Sequence, residues 1–142
     1  MARFRPQNMT DRDLELFNDS LERCTAGPGF IDRFYELFLA SSDEVKQKFA
    51  RTDFKRLKRM LRESFYLMLM ASSGEPNAQG HLERRAVTHS RAELDITPPL
   101  YDLWLRCLLQ TVAEFDPDFN PQVQRAWQVM MMAGIDFMIE RY

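Results

Sequence analysis

No stretch of this 142-residue chain is apolar for the ~20 residues that a bilayer-spanning helix requires. The longest candidate, Phe65 to Ala71, is the size of a core segment and follows the charged residues Arg62 and Glu63. The basic residues near the N-terminus lead into no apolar segment, so no secretory signal is expected and a cytoplasmic location is. Net charge is almost absent too: 19 basic and 21 acidic residues leave −2, whereas a nucleic-acid binder of this size is usually basic overall. Neither a membrane nor a nucleic acid is therefore an expected partner. Cysteine is scarce. Cys24 and Cys107 lie far apart, in no metal-ligand or redox spacing, and both read as buried free thiols. Only two histidines are present, with no His-x-x-x-His or Glu-x-x-His pair, so a zinc or di-iron site ligated by the protein is not expected. No glycine-rich phosphate loop occurs, and neither Ser90 beside His89 nor either cysteine stands in a nucleophile context.

What is present is helical periodicity. With 45% hydrophobic and 28% charged residues the chain has ordinary globular composition, and it is long enough for one domain spanning residues 1–142. Apolar positions recur at 3.6-residue spacing almost throughout, and no stretch alternates as a strand would. Thr10 and Asp13 predict a helix start, followed by a stripe of Leu14, Phe17, Leu21 and Cys24. Gly27-Pro28-Gly29 ends that helix, and Pro28 can open the next, which carries Phe30, Phe34, Tyr35 and Phe38. A short turn of helix runs from Asp43 to Phe49. Thr52 or Asp53 then caps a long helix with Phe54, Leu57, Met60, Leu61, Phe65 and Met68 inward. Residues 72–77 form the clearest loop, and a short basic helix follows from Gly80 to Arg91. Two long helices, about Pro99 to Phe115 and Pro121 to Arg141, close the chain on either side of turn residues 116–121. The expected fold class is all-α, with about seven helices. Nine methionines are many for this length, and methionine fills irregular apolar space and adapts to flat ligands.

An all-α domain with two histidines leaves few options for chemistry. Heme needs only one axial imidazole for its iron, because apolar packing can hold the macrocycle. His81 follows Gly80 at the expected helix start, where exposure is expected. His89 lies two turns further on, in the register Leu82, Ala86, His89.

That register, with Ile96-Thr97-Pro98-Pro99-Leu100-Tyr101 downstream, resembles the proximal half of a globin heme pocket. The resemblance implies that His89 ligates the iron and that Ile96 covers the porphyrin. It also matches Tyr101 to the tyrosine that bacterial flavohemoglobins place beneath the proximal histidine. Arg33 to Phe38, then Val45 to Phe49, is similar to the second and third helices of bacterial globins. There a Phe-Tyr pair, here Phe34-Tyr35, precedes a heme-stacking phenylalanine at the same spacing. By that match Phe49 wedges the heme and Tyr35 points into the distal pocket. Ala126-Trp127 is similar to the Ala-Trp of the final flavohemoglobin helix. Nearly the whole chain thus resembles a bacterial single-domain globin built around one heme b (iron protoporphyrin IX). The flavin and nicotinamide domains of flavohemoglobins are not expected, nor is the output domain of globin-coupled sensors.

The helix after Thr52 leaves a choice of register. Matching Leu61 to the family's apolar distal residue puts Leu57 where many globins keep a histidine or glutamine. A shift of two would bring Arg59 there and press Glu63 against the heme, which the cost of burying an unpaired charge disfavours. Leu57 and Leu61 are therefore preferred. Arg85 replaces the leucine usual one turn before the proximal histidine, and reads either as a partner for a heme propionate or as a solvated arginine. With leucines at both distal positions the iron is expected to be five-coordinate, and Tyr35 is the polar group left to meet O2, NO or CO. Three functions follow from the resemblance. They are reversible dioxygen binding, oxidation of nitric oxide or peroxide chemistry with a separate reductase, and a globin-fold module without heme. No catalytic side chain is assigned in any of them. Trp104, Trp127 and the methionines at 130–132 either fill the core or supply the face of a homodimer, so monomer and homodimer both stand.

Overall fold

Capping chemistry sets the helix boundaries. The computed structural model describes residues 4–89 and 97–141, except the side chains of Pro76 and of residues 86–89. Among them run seven helices and no strand: α1 (Asp11–Thr25), α2 (Phe30–Ala40), α3 (Asp43–Lys48), α4 (Phe54–Ser72), α5 (Pro76–His89), α6 (Pro98–Phe115) and α7 (Pro121–Glu140). Thr10 and Asp13 cap α1 reciprocally: the Asp13 amide donates to Thr10 Oγ1 and the Thr10 amide to Asp13 Oδ2, both at 3.0 Å. Ser42, Asp53 and Asn120 each accept an amide hydrogen bond at the starts of α3, α4 and α7. Of the two caps expected for α4, Asp53 is the one used. α2 begins at Phe30 rather than at Pro28, because Gly29 takes φ +100°, a left-handed conformation that glycine adopts without steric cost. α5 begins four residues earlier than the composition of its first turn suggests. Pro76 opens it, at a position where a missing N–H costs nothing, and the preceding loop shrinks to residues 73–75.

Packing pairs α1 with α7, α2 with α6 and α4 with α5. One half of the interior is an aromatic core around Trp127, which is fully buried. The rings of Phe17, Phe65 and Phe30 stand 4.7, 5.7 and 6.2 Å from it, the first two edge to face. Cys24 and Cys107 are buried free thiols, and burial pushes the Cys24 thiol up to about 12, so no thiolate forms there at neutral pH. Trp104, Trp127 and the methionines at 130–132, which the sequence allowed either to fill the core or to supply an outer face, divide between the two, with Trp104 half-buried. Trp127, Met130 and Met131 are core residues, and only Met132 reaches the surface, 40% exposed.

A buried polar chain ties this core together. Trp127 Nε1 donates to Ser20 Oγ at 2.8 Å, and the Ser20 hydroxyl donates to Asp116 Oδ2 at 2.5 Å. The Asp116 side chain is wholly buried, and Arg23 grips both its oxygens, Nε on Oδ1 at 2.6 Å and Nη2 on Oδ2 at 3.0 Å. Burial by itself would raise the carboxyl's pKa. The hydrogen bonds from Arg23, Ser20 and the Asp118 amide outweigh it and hold the group below the ordinary aspartate value. A carboxyl with a depressed folded pKa contributes stability that is whole above its unfolded pKa and is lost as pH falls through the folded one. Asp116→Asn is therefore expected to cost about 1.5–3 kcal/mol at pH 7, the range for hydrogen bonds to a charged group. The deficit against wild type should shrink as pH drops below about 4. Urea unfolding at pH 7 and pH 3 checks this. A deficit that is constant with pH would mean that the ionised form contributes nothing.

Candidate functional site

The second half of the interior is open. A cavity of about 130 Å³ lies between α2, α4, α5, α6 and α7. α4 builds one wall through periodicity alone. Leu57, Leu61, Ser64 and Met68, spaced four, three and four residues, share one face and line it, with Met60 beside them. Arg59, Arg62 and Glu63 on other faces of the same helix are exposed. The register with Leu57 and Leu61 turned inward is the one observed.

α2 contributes Tyr35 and Phe38, and Phe49, the residue that ends α3, closes against them. The Phe38 and Phe49 rings meet edge to face at 5.8 Å. Leu100, Tyr101 and Trp104 of α6 and Met131, Gly134, Ile135 and Met138 of α7 form the opposite side. Gly134 is small for a reason. A Cβ built there would stand 2.5 Å from the Met68 sulfur, so the helix backbone of α7 and the α4 side chain meet only because the side chain is missing. α5 presents Leu82 and Arg85.

Polar groups in this lining are few and distinct. Tyr35 is 6% exposed, and its hydroxyl has no hydrogen-bond partner among the described residues. Burial is what shifts its pKa, to well above the ordinary tyrosine value, so it is a neutral phenol with a proton to donate. Burial likewise pushes Tyr101 up to about 12. Arg85, with a side chain 19% exposed, reaches Glu63 Oε2 at 3.1 Å and so links α5 to α4 at the edge of the cavity. It is no freely solvated arginine.

Six of the eight residues expected at the site therefore line one cavity: Tyr35, Phe49, Leu57, Leu61, Arg85 and Tyr101. His89 is the last residue of α5, but its side chain lies outside the described residues, as does Ile96 altogether. His81 is exposed, with its Nδ1 2.5 Å from Arg84 Nη2. Sequence reasoning gave no site role to Ser64, Trp104 or Gly134, nor to Met60 and Met68, which it placed inward, nor to Met131 and Met138. Ser64 was reachable, being one turn beyond Leu61. Gly134 carries no local signal, because its role is a contact with another helix.

A globin family model matches residues 32–136 of the chain. No curated protein matches it. Among solved structures, a protein of Pseudomonas aeruginosa PAO1, described as structurally highly homologous to a human hemoglobin, is 40% identical and superposes with a TM-score of 0.85. The match covers 92% of this chain and 98% of that one.

Proposed function

Because the chain belongs to the globin family, a family of heme-binding proteins, we propose that its cavity takes one heme b and that the protein reversibly binds dioxygen or another diatomic gas. The observation that carries this reading is the donor set of the cavity. Its described walls are mostly large apolar side chains, with a nearly buried phenol, Tyr35, a second phenol, Tyr101, the Ser64 hydroxyl and one cation, Arg85. That chemistry suits a flat macrocycle with two apolar faces and carboxylates at its edge. When bound, heme would supply an iron that binds a diatomic gas reversibly.

The chain's own residues do the rest. His89 is assigned as the iron's protein ligand, since position 89 lies two turns beyond Leu82 and so on the same face of α5. Phe49 and, from α6, Tyr101 would pack on the porphyrin, and Ile96, outside the described residues, is assigned to cover it as well. Leu57 and Leu61 exclude water and present no nitrogen to the distal side. Tyr35 donates a hydrogen bond to a polar gas ligand. Arg85, now shared with Glu63, turns to a propionate.

An optical spectrum tests the reading directly. The purified protein, supplied with heme, is expected to show a Soret band. Its ferrous form should be five-coordinate under argon, convert on admitting oxygen and return when oxygen is removed. A protein that gains no Soret band in the presence of excess heme would overturn the proposal.

A further inference from the structure

Eight of the chain's 19 basic residues fall within positions 46–62, against one acidic residue there, Asp53. The stretch thus carries +7 in a chain whose total is −2, which leaves −9 for everything else. The structure gathers this charge on the outside of the segment that forms the cavity's α4 wall. Lys46, Arg51, Lys55, Arg56, Arg59 and Arg62 are all exposed, and none has a carboxylate within ion-pair distance among the described residues. Lys58 alone of the α4 cations is engaged, with Asp32 of α2 at 2.8 Å. Lys55, Arg59 and Arg62, spaced four and three residues, form one outward stripe on α4. Arg59 and Arg62 also border a surface cleft whose other side is Gly27, Pro28 and Ile31.

We propose that this basic face is the docking surface for an acidic electron-donor protein that returns a heme iron in the adjoining cavity from ferric to ferrous. The identity of the occupant follows from where the face lies. Leu57, Met60 and Leu61, on the other side of the same helix, line the cavity, so a redox centre docked on the stripe is separated from it by about the ~10–12 Å width of one helix. The strip is short and the rest of the molecule is acidic, which matches a compact acidic protein and repels a long polyanion. An oxygen-binding heme protein needs such a donor whenever its iron oxidises. The electron count closes with a [2Fe–2S] donor. One ferrous iron of the reduced cluster becomes ferric, the heme iron becomes ferrous, and no bond or proton is exchanged.

This inference rests on the heme reading, and the test separates the two. The probe is a plant-type [2Fe–2S] ferredoxin, and the variant is Lys55→Glu/Arg59→Glu/Arg62→Glu. Titration calorimetry with oxidised ferredoxin reads docking without reference to heme, and stopped flow with reduced ferredoxin reads heme reduction. Electrostatic steering changes encounter rates by 10–10³-fold, and the Debye length falls from about 30 Å at 0.01 M salt to about 10 Å at 0.1 M. Wild-type binding and reduction should therefore weaken steeply over that range, and the variant should be slower by about tenfold or more at low salt and nearly salt-independent. Circular dichroism and reduction by dithionite at high salt should be unchanged in the variant. Charge-dependent ferredoxin binding by a protein with no Soret band would overturn the heme reading and keep the docking face. A Soret band with ferredoxin binding and reduction indifferent to salt and to the three substitutions would overturn the docking face. So would the same charge dependence appearing only for a DNA oligomer, an anionic vesicle or self-association.

Discussion

His89→Ala is expected to lose heme, while His81→Ala keeps it with an unchanged spectrum. The two histidines lie on the same helix and differ in what surrounds them. His81 is exposed and engaged with Arg84, so a ligand at that position would hold iron in water, away from the apolar cavity. Position 89 ends α5 two turns past Leu82, a fully buried residue that lines the cavity. Loss of a partner behind a metal-bound histidine typically costs 10–100-fold in affinity, so loss of the ligand itself should cost on the order of a hundredfold or more. The measurement is heme transfer to an acceptor apo-globin, followed at the Soret band, with exogenous imidazole added to the His89→Ala protein. Recovery of the band with imidazole would show that the cavity survives and only the ligand is missing. Retention of heme by His89→Ala together with its loss from His81→Ala would overturn the assignment of the whole α5 side.

Tyr35→Phe is expected to speed oxygen release about ten- to hundredfold and to change carbon monoxide release far less. The substitution removes one hydroxyl and almost no volume, so the ring contacts with Phe34 at 5.0 Å and Phe54 at 5.9 Å remain. The polar neighbours do not draw this side chain into water. Arg33 spends its guanidinium on Glu36 and Glu114 at the surface, whereas Tyr35 is buried with its ring against Phe34 and Phe54. A donor inside a dry cavity is worth ~1–3 kcal/mol to an acceptor with charge character, and each 1.4 kcal/mol is about tenfold in rate. Bound oxygen carries such charge and carbon monoxide little. Since burial raises the phenol's pKa well above the ordinary value, the hydroxyl stays protonated and the oxygen release rate should be flat from about pH 6 to 9. Flash photolysis and stopped flow give both rates. Small, equal changes for the two gases would overturn the role of Tyr35.

The helical class, the helix starts and the faces of α4 were legible in the sequence, because each depends on residues within a turn or two of one another. Thr10 and Asp13 meet across three positions, and Leu57 and Leu61 share a face through the helical repeat. Phe34 and Tyr35 on α2 and Phe49 at the end of α3 stood out as one set only through the resemblance to bacterial globins. Where two local signals competed, the reading slipped: Pro76 opens α5 at a place whose Ser, Gly and Asn neighbours read as loop.

Contacts between distant segments were decided only by the tertiary structure. Nothing near Trp127 shows that its indole donates to Ser20, 107 residues away, or that Asp116 completes the chain with Arg23. Packing made Trp127 core where the sequence allowed an outer face. Gly134 matters through one Met68 sulfur on another helix, and Arg85 found Glu63 across 22 residues instead of water. Helical periodicity states which way a side chain faces along its own axis. Which partner it meets depends on how seven such axes settle against one another, and that depends on volume and hydrogen-bond satisfaction summed over the whole interior.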